Sequence, residues 1–199
     1  QTHPSNMSSS AKLGEHVFSQ VEKINSELFT LTYGAIVMQM LRDYEDVNEV
    51  NRQLDRMGYN IGVRLIDEFL ARSGVGRCHD LKDTAELISK VGFKLFLGIT
   101  CTVANWSADE KNFSLLLDEN PLAEFVELPT TPVVSGSAPP SKALLYSNVL
   151  CGVLRGALEM VQLSVECKFV KDVLRGDDTT EIRVEFKEYL ADEVPVGDE

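Results

Sequence analysis

The stretch SGVGRCHDLKD, Ser73 to Asp83, gathers the residue types best able to do chemistry in this chain. Cys78 stands between Arg77 and His79, with Asp80 placed to open a helix. A thiol beside a cation at the mouth of a helix is a setting that stabilises a thiolate. The guanidinium and the free N–H groups of the first turn both favour negative charge there. Asp80 and Asp83 act in the opposite sense, and the residues leave the balance open. Four roles fit a cysteine so placed: nucleophile, metal ligand, lipid attachment point, or small apolar side chain in a packed loop.

Two of these roles find little support in the rest of the chain. A nucleophilic thiol needs a base within hydrogen-bond reach, usually delivered by the fold and not by the next residue. His79 is adjacent, where side chains tend to diverge, and His16 is the one other histidine outside the first few residues. A metal site needs clustered ligands. Cys78, Cys101, Cys151 and Cys167 are widely separated, with no CxxC and no paired histidines, so zinc spacing is absent and no metal is expected. Phosphate-cradling, dinucleotide, GxSxG and HExxH patterns are absent too. On the residues alone, a loop cysteine tucked under a helix is the favoured reading and a more reactive thiol the alternative.

Composition narrows the partners. The chain has 199 residues, 44% apolar, enough for one domain with a sizeable core, and a net charge of −12. Half of that excess sits after residue 172, whereas 143–172 is neutral. Nucleic acid is excluded as a main partner because phosphate binding needs a basic surface, and so is charge-driven adsorption to anionic lipid. The best uncharged apolar run, Leu28 to Leu41, is shorter than the roughly 20 apolar residues of a membrane span. With no CxxC and no recognisable signal peptide, the cysteines read as reduced and cytosolic.

Hydrophobic periodicity places these features on elements. Residues 11–45 carry a helical pattern with a possible restart near Ser26, and a second helix runs from Asp46 to about Arg72 with Gly58 and Gly62 on one face. Glycines four apart in a helix cost about 1 kcal/mol each relative to Ala, so they imply close backbone approach to something. A third helix, Leu81 to Leu97, has Asp80 as its N-cap and Gly98 as its stop. Ile99–Ser107 and Asn112–Glu119 then alternate as a strand hairpin. Residues 130–142, rich in Pro, Ser and Gly, read as a mobile loop. A fourth long helix is expected from Ala143 to Arg175, apolar almost all round at first, with Gly152 and Gly156 spaced four apart and Arg155 paired with Glu159. Glu181 to Leu190 alternates as a final strand. The expected fold is α+β, a helical layer packed on a small antiparallel sheet. It is one domain over 11–190, flanked by a disordered tail at 1–10 and an acidic tail at 191–199.

Gly92 lies on the apolar face of the helix that starts just after Cys78. A glycine there leaves space, and a groove running inward from Cys78 would suit an acyl chain. Tight helix packing is the competing explanation and the favoured one on these residues alone.

Several stretches carry a further signal: SELFTLTYGAIV, LDRMGYNIGVRLIDEFLARS, GRCHDLKDTAELISKVGFKLFLGIT, NPLAEFVELP, YSNVLCGVLRGALEMVQLSVECKFVKDVLRGD and TEIRVEF. Together they resemble the Bet-three type core subunits of TRAPP, the transport protein particle that tethers vesicles in early secretory traffic. The resemblance covers roughly Glu27 to Phe186. The segment 11–25 and the loop 130–142 look extended relative to that pattern.

The resemblance implies an α+β TRAPP small-subunit fold and a homodimer, or a heterodimer with other small TRAPP subunits. It implies a scaffold with no enzyme activity of its own, serving nucleotide exchange on a Rab GTPase through the assembled complex. It implies a cytoplasmic protein held peripherally at cis-Golgi and endoplasmic reticulum membranes through that complex, with no transmembrane segment. It further implies that Cys78, with Arg77 and His79 as motif neighbours and Gly92 bordering a channel, carries a thioester-linked palmitoyl group. The C-terminal tail, with Val194, Pro195 and Val196, would contact the Rab. A module on the same fold that senses fatty acyl groups or small ligands is the alternative.

Overall fold

The computed structural model describes residues 8–44, 46–76, 78, 80–130 and 139–191. Glu45, Arg77, His79, residues 131–138 of the segment expected as a mobile loop, the first seven residues, and residues 192–199 with Val194, Pro195 and Val196 lie outside the described residues.

The chain begins with α1 (Ser9–Gln20) and α2 (Ser26–Asp43), where a single helix with a possible restart was expected over 11–45. The break falls at residues 21–25, and the side chain of Asn25 accepts from the N–H of Leu28 at 3.0 Å to start α2. Helix α3 (Val47–Ser73) is capped by Asp46 and ended by Gly74 in the left-handed region. Next come α4 (Leu81–Leu87), a π-helical turn (Ile88–Gly92) and α5 (Phe93–Leu97), one continuous rod closed by left-handed Gly98. After β1 (Thr102–Ala104) and β2 (Asn112–Leu117) the chain reaches the short α6 (Pro140–Ala143) and α7 (Val149–Met160). Strands β3 (Leu163–Lys171) and β4 (Thr180–Tyr189) complete an antiparallel sheet of order β1-β2-β4-β3. The expected α+β architecture, helices on a small antiparallel sheet, is what the chain adopts.

The helix expected over 143–175 is corrected. Segment 144–148 is held out of helix by polar bonds to α3: Asn51 Nδ2 donates to the Ala143 carbonyl at 2.9 Å, and its Oδ1 accepts from Leu145 N–H at 2.8 Å. At the other end Gln162 takes φ 68°, which stops α7. The next residues then alternate. Leu163 and Val165 are buried against β4, while Glu166 and Lys168 face solvent. The apolar run of α7 masks this change of period. The expected pairing of Arg155 with Glu159 is also replaced. Arg155 bonds to Asp55 of α3 and lies 4.7 Å over the Tyr59 ring, while Tyr59 Oη donates to Glu159 at 2.9 Å.

Those contacts flank a seam of close backbone approach. Gly58 and Gly62 of α3 face the Val149 and Val153 carbonyls of α7, and Gly152 and Gly156 face the Asp55 and Tyr59 carbonyls of α3. Numbers rise together on both sides, so the two helices run parallel. A Cβ on Gly62 would stand 2.8 Å from the Ala157 nitrogen, and one on Gly152 2.7 Å from the Tyr59 nitrogen, with the carbonyl oxygens closer still. The two glycine pairs therefore interlock backbone to backbone, at a spacing that favours Cα–H···O contacts.

Gly58→Ala should lower stability by about 2 kcal/mol or more in urea unfolding, because overpacking of this kind costs ~1–3 kcal/mol. Helix propensity alone favours the substitution by about 1 kcal/mol. A stabilised variant would show that the helices have room to spare.

Candidate functional site

The face of α3 that carries Val50 and Leu54 is buried in the core, but its continuation behaves differently. Leu65 and Phe69 are half-buried and Ile61 is exposed, because this half of α3 faces a cavity of about 730 Å³. That volume falls within the ~300–1,000 Å³ of small-molecule sites. Helix α7 lines it with Val153, Leu154 and Leu158, and α4–α5 with Leu87, Ile88, Phe93 and Phe96. Leu122, from the segment after β2, and Tyr189, at the end of β4, contribute as well.

Cys78 lines this cavity and is half-buried, and it is the one of the four cysteines that does so. It follows the turn after α3 and precedes Asp80, whose carboxylate accepts from Asp83 N–H at 2.8 Å and so starts α4 as the sequence suggests. Cys101 and Cys151 are buried, and Cys167 is half-buried on β3, away from the cavity. Desolvation pushes the Cys101 and Cys167 thiols up to about 12 and raises Cys151 well above the usual thiol range, which disfavours the thiolate at all three. Among the described residues no group of three or more His, Cys, Asp or Glu side chains is placed to hold a metal.

Gly92 lies on the cavity wall at the end of the π turn. A Cβ there would meet Leu87 O at 3.9 Å and Phe69 Cε2 at 4.0 Å, which is ordinary contact. Gly92 is therefore not a close-approach glycine like those of α3 and α7. A larger side chain would extend toward Phe69 and into the cavity. The structure thus brings Cys78 and Gly92 to one apolar volume, 14 positions apart in sequence.

The helix carrying Gly92 stands off from α3 and α7, and α1 is its principal packing partner. Gly14 approaches the Lys90 carbonyl so closely that no side chain would fit, Val17 is buried, and Glu15 pairs with Lys94 at 2.8 Å. Phe18 lies under the ammonium groups of Lys23 and Lys94, at 4.2 Å and 4.9 Å from its ring centre. Helix α1 thus braces the outer side of the cavity wall. Sequence reasoning left the segment 11–25 without a role and missed Leu122, which sits in an aperiodic stretch. The alternation of 163–169 was the available signal for the strand that brings Leu163 to the cavity.

The uncharged run Leu28–Leu41 divides by face. Thr30, Tyr33, Val37 and Leu41 are buried, with Tyr33 donating from its hydroxyl to the Tyr146 carbonyl, and burial raises that phenol's pKa. Leu28 and Leu31 are 64% and 61% exposed, and Met38 is exposed beside them. No helix among the described residues is long and apolar enough to cross a membrane.

Comparison with known proteins places this geometry in a family. The model of the Transport protein particle (TRAPP) component family matches residues 29–185. Trafficking protein particle complex subunit 3 of Dictyostelium discoideum is 58% identical over 186 residues, covering 94% of this chain and 96% of that protein. Trafficking protein particle complex subunit BET3 of Saccharomyces cerevisiae is 54% identical over 189 residues, covering 94% of each. Among solved structures, a trafficking protein particle complex subunit 3 from Naegleria fowleri, covalently bound to palmitic acid, is 55% identical with a TM-score of 0.79. It covers 86% of this chain and all of that one. The phenol-responsive sensory domain of the transcription activator PoxR shares the fold alone, at 12% identity and a TM-score of 0.54 over 90% of this chain and 92% of that domain. With more than half of its residues identical to such relatives along nearly its whole length, the chain belongs to the TRAPP component family.

Proposed function

We propose that this TRAPP component is a scaffold subunit whose Cys78 carries a fatty acyl thioester, palmitoyl in the first instance, with the chain laid in the apolar cavity. One observation carries the reading: the half-buried thiol opens onto a cavity of about 730 Å³ with predominantly apolar walls. The palmitate-bound Naegleria relative supports it. The residues present fit the group, since the walls are Leu, Ile, Val and Phe side chains and Gly92 keeps the passage clear. The chemistry is thioester exchange. The Cys78 sulfur bonds to the acyl carbonyl carbon of an activated thioester, the donor's C–S bond breaks, and the donor leaves as a thiol with the Cys78 proton.

At about 0.8 kcal/mol per buried methylene, such a chain contributes on the order of 10 kcal/mol. That equals the whole net stability of a typical domain, ~5–15 kcal/mol. A chain so buried acts as part of the core and does not reach a bilayer. Intact-mass measurement should show an acyl adduct that hydroxylamine removes and Cys78→Ser abolishes, with a loss of several kcal/mol in stability. Gly92→Leu should lower occupancy by filling the space opposite Phe69. A parent chain with free Cys78 would sink the reading.

The exposed apolar strip of α2 supports pairing, with a second copy in isolation and with another small TRAPP subunit in the assembled particle. Leu31→Glu should then convert a dimer to a monomer in sedimentation without unfolding, since Leu31 is already exposed. A parent chain that is monomeric at micromolar concentration would count against pairing.

The assembled particle would act peripherally at cis-Golgi and endoplasmic reticulum membranes, with this subunit contributing no catalytic step of its own and presenting its tail to a Rab GTPase during nucleotide exchange. The acidic segment 192–199 has no base, and negative charge near a nucleotide site repels phosphate. Removing 193–199 should leave assembly intact and slow nucleotide release by the reconstituted particle. Unchanged release would leave the tail as a solubilising end.

A further inference from the structure

We propose that Leu122 is the stop that limits how long an acyl chain the cavity accepts, an assignment that rests on Cys78 being the attachment point. Two fixed ends define the depth of the cavity. Cys78 follows the C-terminus of α3, where Gly74 N–H bonds back to Leu70 O at 3.0 Å and turns the chain out of the helix. The opposite end follows from the parallel seam. Gly58 of α3 is level with Val149 of α7, and 12 helical residues at 1.5 Å each place that level about 18 Å from Leu70.

Leu122 belongs to this far end. Asn120 Nδ2 donates to Ser147 Oγ at 2.8 Å, just before α7 begins, and Asn120 Oδ1 accepts from Leu122 N–H at 3.2 Å. Both polar residues are buried, so the clamp holds Leu122 against the start of α7. Leu122 is 1% exposed and lines the cavity together with Val149 and Leu150. It comes from neither α3, α7 nor the wall helix, so its side chain can change without touching the glycine seam.

The thioester fixes the head of the chain, so only the tail can adjust to length. A methylene that passes the stop must leave the apolar volume or displace Leu122. A chain two carbons short leaves apolar wall uncovered. Each two-carbon step away from the fitted length therefore changes relative occupancy by about tenfold.

The test is the acyl-length distribution on the full chain, read by intact mass and by gas chromatography of the acids that hydroxylamine releases. Leu122→Phe should shift the distribution from palmitoyl toward myristoyl, and Leu122→Ala toward stearoyl and longer. If Leu122→Ala does not accumulate, Leu122→Val carries the same test with a smaller shift. Leu144→Ala, an equally buried truncation away from this cavity, should keep the parent distribution. Adducts present on every variant with the parent's length distribution would overturn the stop while leaving acylation standing. An absence of adduct on the parent chain would overturn acylation and the stop together.

Discussion

The rest of the molecule depends on the backbone contact between α3 and α7. Two glycines on each helix face carbonyls of the other, and the gap holds no Cβ. Glycine in a helix sacrifices about 1 kcal/mol of propensity per residue, so four of them in one seam mark a strong constraint. The benefit is geometric, since two helices in backbone contact behave as one rigid slab. Arg155, bonded to Asp55 and stacked on Tyr59, and Tyr59, bonded to Glu159, fix the slab's register with directional polar contacts on its margin.

A slab of that kind presents two faces. One carries Val50, Leu54 and Cys151 into the core that continues onto β2, β3 and β4. The other is roofed by the rod α4–α5, which does not close down onto it. Its separation is sustained from outside by α1, through Gly14 on the Lys90 carbonyl, Val17, and the Glu15–Lys94 pair. The π turn at Ile88–Gly92 sits where α1 presses on one side and the cavity opens on the other. Insertions of this type recur at functional sites because the extra residue re-aims the side chains after it. Here it sets Gly92 and Phe93 along the cavity wall. The cavity is a product of the bracing and not a flaw in packing.

This arrangement fits a subunit whose lipid is structural. Acidic charge is spread over the chain and concentrated toward its end, so electrostatics do not draw the protein to anionic membranes. The proposed acyl chain, enclosed between the slab and the roof, would act as core, and the outward apolar strip of α2 would remain for neighbouring subunits. Thiol chemistry is divided on the same principle. Desolvation raises the pKa of Cys101, Cys151 and Cys167, while Cys78 is the thiol that lines the cavity.

Local chemistry alone determined a good deal. Asp80 as a cap, Gly98 as a stop, and the alternation of β4 are written in nearest neighbours, and they stand where the sequence puts them. The glycine pairs announced a close approach, because no other feature of a helix calls for them. What they approached was beyond reach of the sequence, since the two pairs lie about ninety residues apart and each helix reads as satisfied by any smooth surface. The strand β3 was hidden differently: the alternation of 163–169 is present, but it follows the apolar run of α7 without a break signal and reads as its continuation. Cys78 was legible as an unusual thiol, yet its distinction from the other three is a matter of what lies behind it. That volume exists only because α1, the α3–α7 slab and Leu122 meet around it, and a cavity, being made of what is absent, leaves no residue pattern of its own.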